Sequence, residues 1–188
     1  TRVGTSMGDI TAGLFTAIGV LTAVIHRNHS GKGQMVDVAM LDSQVAILEN
    51  AIARYTVTGE IPGRIGNRHP SIIPFETFAT ADGTIMIAAG NDALWRKLCA
   101  VLEHAELAND SRFQTNPLRA ENYDELRPFL AELFVEKETA VWQTILDEVG
   151  VPNGPINDVA QVLADPQVQA REMIVKVEHP TAGKMELP

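Results

Sequence analysis

The sequence predicts a mostly helical chain with one short antiparallel sheet, arranged as a helical front part followed by a small α+β part. Three observations lead there. Apolar residues recur at spacings of three and four over several stretches, the mark of helices that bury one face. Two runs rich in β-branched and aromatic residues flank Ala81-Asp82-Gly83, a hairpin signal. Between Thr58 and Ser71 stand Gly59, Pro62, Gly63, Gly66 and Pro70, enough breakers to exclude regular structure. The expected division is therefore 1–57, a linker at 58–71, and 72–188.

Taken in order, Asp9 to about Asn28 reads as a helix with Asp9 as N-cap, an apolar body and a basic last turn. Ser30-Gly31-Lys32-Gly33 turns the chain, because glycine accepts positive φ. Gln34 to Val38 alternates polar and apolar residues and predicts a short strand. Leu41 to Tyr55 sets Leu41, Val45, Leu48 and Ile52 on one helical face, with Asp37 or Asp42 as cap or turn residues. After the linker, Ile72–Phe78 and Thr84–Ala88 are the expected hairpin strands. Asp92–Leu102 is an amphipathic helix carrying Leu94, Trp95 and Leu98, with Cys99 on its apolar side. Tyr123–Phe134 and Thr139–Val149 follow as helices, the second stopped by Gly150 and Pro152. Asn157–Leu163 and Gln167–Arg171 are short helices, the latter with Pro166 in its first turn. Met173–Glu178 reads as a strand that pairs with the hairpin, and Trp95 and Trp142 fit core faces.

The composition narrows the chemistry. The 188 residues are 45% hydrophobic and 21% charged, ordinary for a soluble globular protein large enough to bury a core. A formal net charge of -9 argues against a nucleic-acid partner, which calls for a basic face. The single cysteine, Cys99, excludes an intrachain disulfide, and the five histidines show no metal-ligand spacing, so no metal is expected. The apolar run Ile10 to Ile25 is interrupted by Thr11, Thr16 and Thr22 and is shorter than the roughly 20 residues a bilayer requires. A buried core helix is the expectation, with no membrane partner. No cationic segment followed by a cleavage site opens the chain, so no signal peptide is expected. Thr1-Arg2-Val3-Gly4 at one end and Met185-Glu186-Leu187-Pro188 at the other read as points inside a longer protein.

The residue that concentrates chemical interest is Asp9, in Gly8-Asp9-Ile10-Thr11-Ala12-Gly13. Where a loop becomes a helix, unpaired backbone N–H groups and the helix dipole favour an ionised carboxylate. That suits a nucleophile better than a proton donor. Read from the residues alone, Asp9 is an N-cap worth about 1 kcal/mol.

This segment, followed by Gly31-Lys32-Gly33-Gln34-Met35-Val36-Asp37-Val38, resembles the family III CoA-transferases, the carnitine-dehydratase and bile-acid-inducible protein group. Gly66-Asn67-Arg68-His69-Pro70 with Ile73-Pro74-Phe75 resembles the family's interdomain segment. Ala81-Asp82-Gly83 with Gly90-Asn91-Asp92, then Gly150-Val151-Pro152-Asn153-Gly154-Pro155-Ile156-Asn157 and Asp165-Pro166-Gln167, resemble its later signatures in order and spacing. The resemblance implies an α/β protein about twice this length. Its Rossmann-like large domain holds coenzyme A, its small α+β domain is inserted there, and two subunits interlock as a homodimer. Residues 1–57 would belong to the large domain and 72–188 to the small one.

By the same resemblance Asp9 is the catalytic carboxylate of a cytoplasmic enzyme moving CoA between an acyl-CoA and a carboxylic acid. Gly66, Asn67, Arg68 and His69 stand either as a segment closing over the acyl group, with backbone N–H groups holding developing charge, or as an ordinary linker. His69 reads as a solvated side chain more readily than as an acid or base. Arg27, Lys32 and Arg64 are candidate partners of the CoA phosphates, with helix-end charge compensation as the competing role of Arg27. Two rivals remain. One is an acyl-CoA racemase of the same fold, with the aspartate as acid/base group beside a histidine from upstream. The other is a catalytically silent assembly module whose apolar faces drive self-association.

Overall fold

A computed structural model describes residues 4–188; Thr1-Arg2-Val3, part of the opening read above as interior to a longer protein, lie outside the described residues. The chain forms two compact units, Thr1–Arg64 and Ile65–Pro188.

The first unit is led by α1, Met7–Ser30, which starts earlier than its pattern predicted. Ser6 occupies the N-cap position and its carbonyl accepts the Ile10 N–H at 3.0 Å. Asp9 is consequently a first-turn residue and not the cap. Gly31 ends the helix at φ 72°, its N–H returning 2.8 Å to the Arg27 carbonyl, a left-handed cap that suits glycine. The strand predicted at Gln34–Val38 does not form, since among the described residues no neighbour runs beside it to complete a ladder. The segment packs on α1 instead: a Cβ on Gly19 would stand 2.8 Å from Val36 Cγ1.

The single helix predicted over Leu41–Tyr55 is two, α2 at Met40–Ile47 and α3 at Glu49–Thr58. They part at Leu48, whose N–H bonds the Val45 carbonyl at 3.1 Å, a tight three-residue turn inside an unbroken apolar pattern. Ala39 holds the N-cap position; Asp42 lies in the first turn of α2, and Asp37 caps nothing. The largest departure concerns burial. In α1 only Thr11 is buried, while Leu14, Ile18, Leu21 and Ile25 are 60% to 63% exposed. Their four-three-four spacing makes one uncovered apolar stripe. With 24 residues, α1 is also long and apolar enough, by length and composition, to cross a membrane.

The second unit holds the hydrophobic core. β1 (Phe75–Ala79) and β2 (Thr84–Ala88) pair antiparallel from Phe75↔Ala88 to Ala79↔Thr84. β1 begins later than predicted, because Pro74 has no N–H and Ile73 gives its N–H to Asn116 and its carbonyl to Arg119. The connection runs from Thr80 to Gly83, one residue longer than the expected Ala81-Asp82-Gly83. It is organised by Asp82 Oδ1, which accepts from the Thr139 N–H and hydroxyl, both at 2.8 Å, and from Thr80 at 3.2 Å. Those bonds, the Thr139 backbone N–H foremost, hold the Asp82 carboxyl below its ordinary range.

The third strand is β3, Asn153–Pro155, which pairs antiparallel with β2. The strand predicted at Met173–Glu178 to extend this sheet is β4, Val175–His179, and it pairs with β5, Gly183–Leu187, as a separate sheet. A partner available across the three-residue turn Pro180-Thr181-Ala182 costs less chain entropy than one far away in sequence.

Around the first sheet pack α4 (Asp92–Val101), α6 (Tyr123–Phe134) and α7 (Thr139–Val149). Asn91 caps α4 by accepting the Leu94 N–H at 2.9 Å. A 3-10 turn at Ala105–Asn109 and α5 (Asn116–Glu121) lie between, neither anticipated above. α8 (Val159–Ala164) starts with a capping box on Asp158, and α9 (Pro166–Ala170) with Asp165 as cap. Phe78, Ile85, Ile87, Trp95, Leu98, Leu130, Phe134, Trp142 and Leu146 are at most 1% exposed, each contributing about 1.5–3 kcal/mol by burial. Phe134 stacks on Phe78 at 4.8 Å and meets the edge of Trp142 at 5.1 Å. Cys99 is buried here and its thiol is pushed up to about 12 by desolvation, which makes it a packing residue and not a nucleophile.

Candidate functional site

In the first unit the Asp9 carboxylate is exposed in the first turn of α1, among N–H groups that lack helical acceptors. That turn is braced by α2. Thr11 donates its hydroxyl to the Met7 carbonyl at 2.6 Å and accepts from Gln44 Nε2 at 2.8 Å. Thr11 and Ser43 are the buried polar residues of the unit. A Cβ on Gly8 would touch Met40 Cε at 3.4 Å and Gln44 Nε2 at 3.9 Å, so the first turn of α1 lies close against α2. Among the described residues no cation pairs with Asp9. The result is a fixed backbone carrying an exposed carboxylate, the arrangement an attacking group requires. Gln44 carried no sequence signal; a glutamine inside an apolar helical pattern looks like any surface position.

Arg27 sits at the far end of α1. Eighteen residues of helix rise place it about 27 Å from Asp9 along the axis. It lines a groove of about 350 Å³ with Val20, Ala23, Val24, Gly33, Gln34 and Val36. Lys32 follows in the adjoining turn, and Arg64 is exposed at the close of the unit. The structure therefore does not gather Arg27 or Lys32 around the carboxylate. Among the described residues no three His, Cys, Asp or Glu side chains are grouped as metal ligands.

In the second unit the Gly66–His69 segment is anchored at its downstream end. Gly66 is left-handed at φ 66°, a conformation suited to glycine. Asn67 Nδ2 donates to Thr77 Oγ1 at 3.3 Å, and the Arg68 guanidinium lies over the Tyr123 ring at 4.1 Å. His69, expected as a solvated side chain, is half-buried and stacks on Phe75, with centroids 5.3 Å apart and planes 6° from parallel. Its Nδ1 accepts the N–H groups of Ser71 at 3.2 Å and Ile72 at 3.1 Å. Its own N–H donates to the Phe75 carbonyl at 2.8 Å.

Two polar clusters behind this segment escaped the sequence reading. Arg119 is fully buried and donates to the carbonyls of Ile73 at 2.7 Å and Phe113 at 3.0 Å, and to Asp92 at 2.9 Å. Burial pushes its guanidinium below the usual range, and the Asp92 bond opposes that. Asn116 joins it, accepting the Ile73 N–H and donating to the Ser71 carbonyl at 2.7 Å. The second cluster centres on buried Glu76, which accepts from the Tyr123 hydroxyl at 3.0 Å and from Arg127 Nε at 3.3 Å. Desolvation, then the Glu76 bond, raises the Tyr123 phenol. Only the Asn-Pro helix start at Asn116 left a trace that sequence reading can use.

Comparison with known proteins agrees with the segments that carried the resemblance. The profile described as CoA-transferase family III matches residues 1–188. A human protein named succinyl-CoA:glutarate CoA-transferase is 37% identical over 187 residues, which are 100% of this chain and 43% of that protein. An Acetobacter aceti protein named acetyl-CoA:oxalate CoA-transferase is 41% identical over 177 residues, 94% of this chain and 46% of that protein. Among solved structures, a CAIB/BAIF family protein from Brucella suis superposes with a TM-score of 0.79 at 36% identity. The match covers 98% of this chain and 52% of that one. A structure from M. tuberculosis gives a TM-score of 0.85 at 26% identity, covering 100% of this chain and 49% of that one. The chain thus spans about half the length of the relatives it matches.

Proposed function

The chain belongs to CoA-transferase family III, and we propose on that premise that the whole protein moves CoA between two carboxylic acids with Asp9 as nucleophile. The observation that carries this reading is the exposed Asp9 carboxylate on a turn braced by Thr11 and Gln44, inside the segment that resembles the family's catalytic one. An Asp9 oxygen attacks the thioester carbonyl of the donor acyl-CoA. The C–S bond breaks, CoA leaves as thiolate, and a mixed anhydride remains. The thiolate then attacks the aspartyl carbonyl of that anhydride, releasing the donor as a carboxylate and leaving an aspartyl-CoA thioester. The acceptor carboxylate repeats the sequence in reverse: it forms a second anhydride, and CoA attacks its acyl carbonyl to regenerate Asp9. Anhydride and thioester are of comparable reactivity, so no intermediate becomes a sink.

The substrate class in this reading is a short dicarboxylic acid. The relatives named for glutarate and oxalate support it, as does one from Haloarcula marismortui named for mesaconate. The remainder of the reading is a Rossmann-like large domain completed outside this chain, an interlocked homodimer, cytoplasmic placement, and no nucleic-acid, membrane or metal partner. Arg27, Lys32 and Arg64 are kept as candidate phosphate contacts, and Gly66 to His69 as the segment over the acyl group. The uncovered stripe on α1 supports burial against the rest of that same large domain.

The test is intact-mass analysis of the whole protein mixed with succinyl-CoA. An adduct of CoA on the Asp9 peptide, absent in Asp9→Ala, is expected. Exchange of the substrate's α-proton without any adduct, with transfer activity missing, would instead establish a racemase of the same fold.

A further inference from the structure

The role of His69 does not follow from the family reading, and its surroundings define it. A histidine ring nitrogen that accepts backbone N–H groups acts on the chain around it. Here Nδ1 is already engaged, accepting two consecutive backbone N–H groups, Ser71 at 3.2 Å and Ile72 at 3.1 Å. An acceptor nitrogen carries no proton, so the neutral ring holds its hydrogen on Nε2. The ring plane is set by Phe75, stacked 6° from parallel, and the residue's own N–H is spent on the Phe75 carbonyl at 2.8 Å. Three constraints therefore converge on this half-buried residue, one from the turn that follows it and two from Phe75 in the first strand.

What His69 holds is the turn that follows it. Ser71 and Ile73 are gripped in turn by Asn116, whose Nδ2 donates to the Ser71 carbonyl and whose Oδ1 accepts the Ile73 N–H. Upstream, Asn67 is tied to Thr77 and Arg68 lies on Tyr123. The backbone between Gly66 and His69 is thereby fixed relative to β1, with the left-handed Gly66 inside a turn closed by the Arg68 N–H and the Ile65 carbonyl at 3.4 Å. Backbone N–H groups stabilise developing charge only when their direction is set before the reaction.

We propose that His69 is a positioning residue, holding through its Nδ1 acceptor the turn that joins the Gly66–His69 segment to β1. This rests on the reading that the segment closes the acyl site. Asparagine offers an acceptor oxygen suited to the same turn, and alanine offers none. In the whole protein, His69→Asn is expected to keep kcat for CoA transfer within about threefold and to leave the shape of the pH–rate profile unchanged. His69→Ala is expected to lower kcat by about tenfold or more with the acyl-CoA KM within about threefold, the pattern of a lost transition-state contact. Backbone exchange at Ser71 and Ile72 gives an activity-independent reading: protected in the parent and His69→Asn, faster by about tenfold or more in His69→Ala.

His69→Asn as inactive as His69→Ala, with one limb of the pH profile gone, would overturn the proposal in favour of acid–base catalysis. Unchanged exchange in His69→Ala would overturn it as well. A parent protein with no CoA transfer defeats the family-based reading, and the exchange measurement still decides whether His69 holds the turn.

Discussion

Buried Arg119 shows how a single side chain can hold a segment that the local sequence leaves loose. Its three donors end on Ile73, Phe113 and Asp92, and its guanidinium lies 5.1 Å from the Trp95 ring centroid. Removing it leaves two buried carbonyls and a carboxylate without their partner, while opening a cavity beside Trp95. Arg119→Ala is therefore expected to lower the stability of the second unit by about 3 kcal/mol, read as a lower urea midpoint at unchanged slope. An unchanged midpoint would mean that water replaces the guanidinium at no cost. No periodicity announces such a residue, since an arginine in an Asn-Pro-led turn looks like an exposed one. Asp9 stands in a segment its flanking glycines mark out, and its expected place as N-cap is corrected to the first turn of α1. The pattern of apolar residues begins after it, whereas the hydrogen bonds begin at Ser6.

At the scale of elements, four helices were readable because their apolar spacing and stops are strong: α1, α4, α6 and α7. The boundaries of α6 and α7 coincide with the expected ones, and Gly150 caps α7 at φ 71°. The break at Leu48 was not readable, because the apolar pattern runs through it. β3 was missed for a different reason: Asn153-Gly154-Pro155 carries no strand-like side chain and is a strand only because β2 lies beside it. β4, in contrast, takes the strand next to it in sequence, β5, as its partner.

Packing of the 34–38 segment on α1 gives a paired prediction. Gly19→Ala forces a methyl to within 2.8 Å of Val36 Cγ1 and is expected to destabilise the first unit by about 1–3 kcal/mol. Gly13→Ala meets nothing within 4 Å and is expected to stabilise α1 by about 0.5–1 kcal/mol. Thermal melts of both variants decide; shifts of the same sign would contradict the close approach at Gly19.

At the scale of the whole molecule, the two units differ in how completely they satisfy themselves. The second closes a core of aromatic and aliphatic side chains. The first leaves Leu14, Ile18, Leu21 and Ile25 uncovered, a contiguous apolar stripe of the kind that marks an interaction surface. The expectation of a buried helix is not met within this chain, which spans about half the length of its relatives. Residues 1–188 taken alone are expected to self-associate, with sedimentation that changes with concentration, and Leu14→Glu with Leu21→Glu to abolish it. A monomer at every concentration would show that the stripe needs no cover.

The central claim is that Asp9 exchanges oxygen with the acids it serves. In the proposed reaction each passage through the anhydride returns one acceptor oxygen to the aspartate when CoA attacks the acyl carbonyl. The measurement is turnover of the whole protein with succinyl-CoA and glutarate labelled with heavy oxygen in both carboxylates, followed by mass analysis of the Asp9 peptide. The account predicts heavy oxygen in Asp9 after turnover and none without succinyl-CoA. Full CoA transfer with Asp9 unlabelled would contradict it.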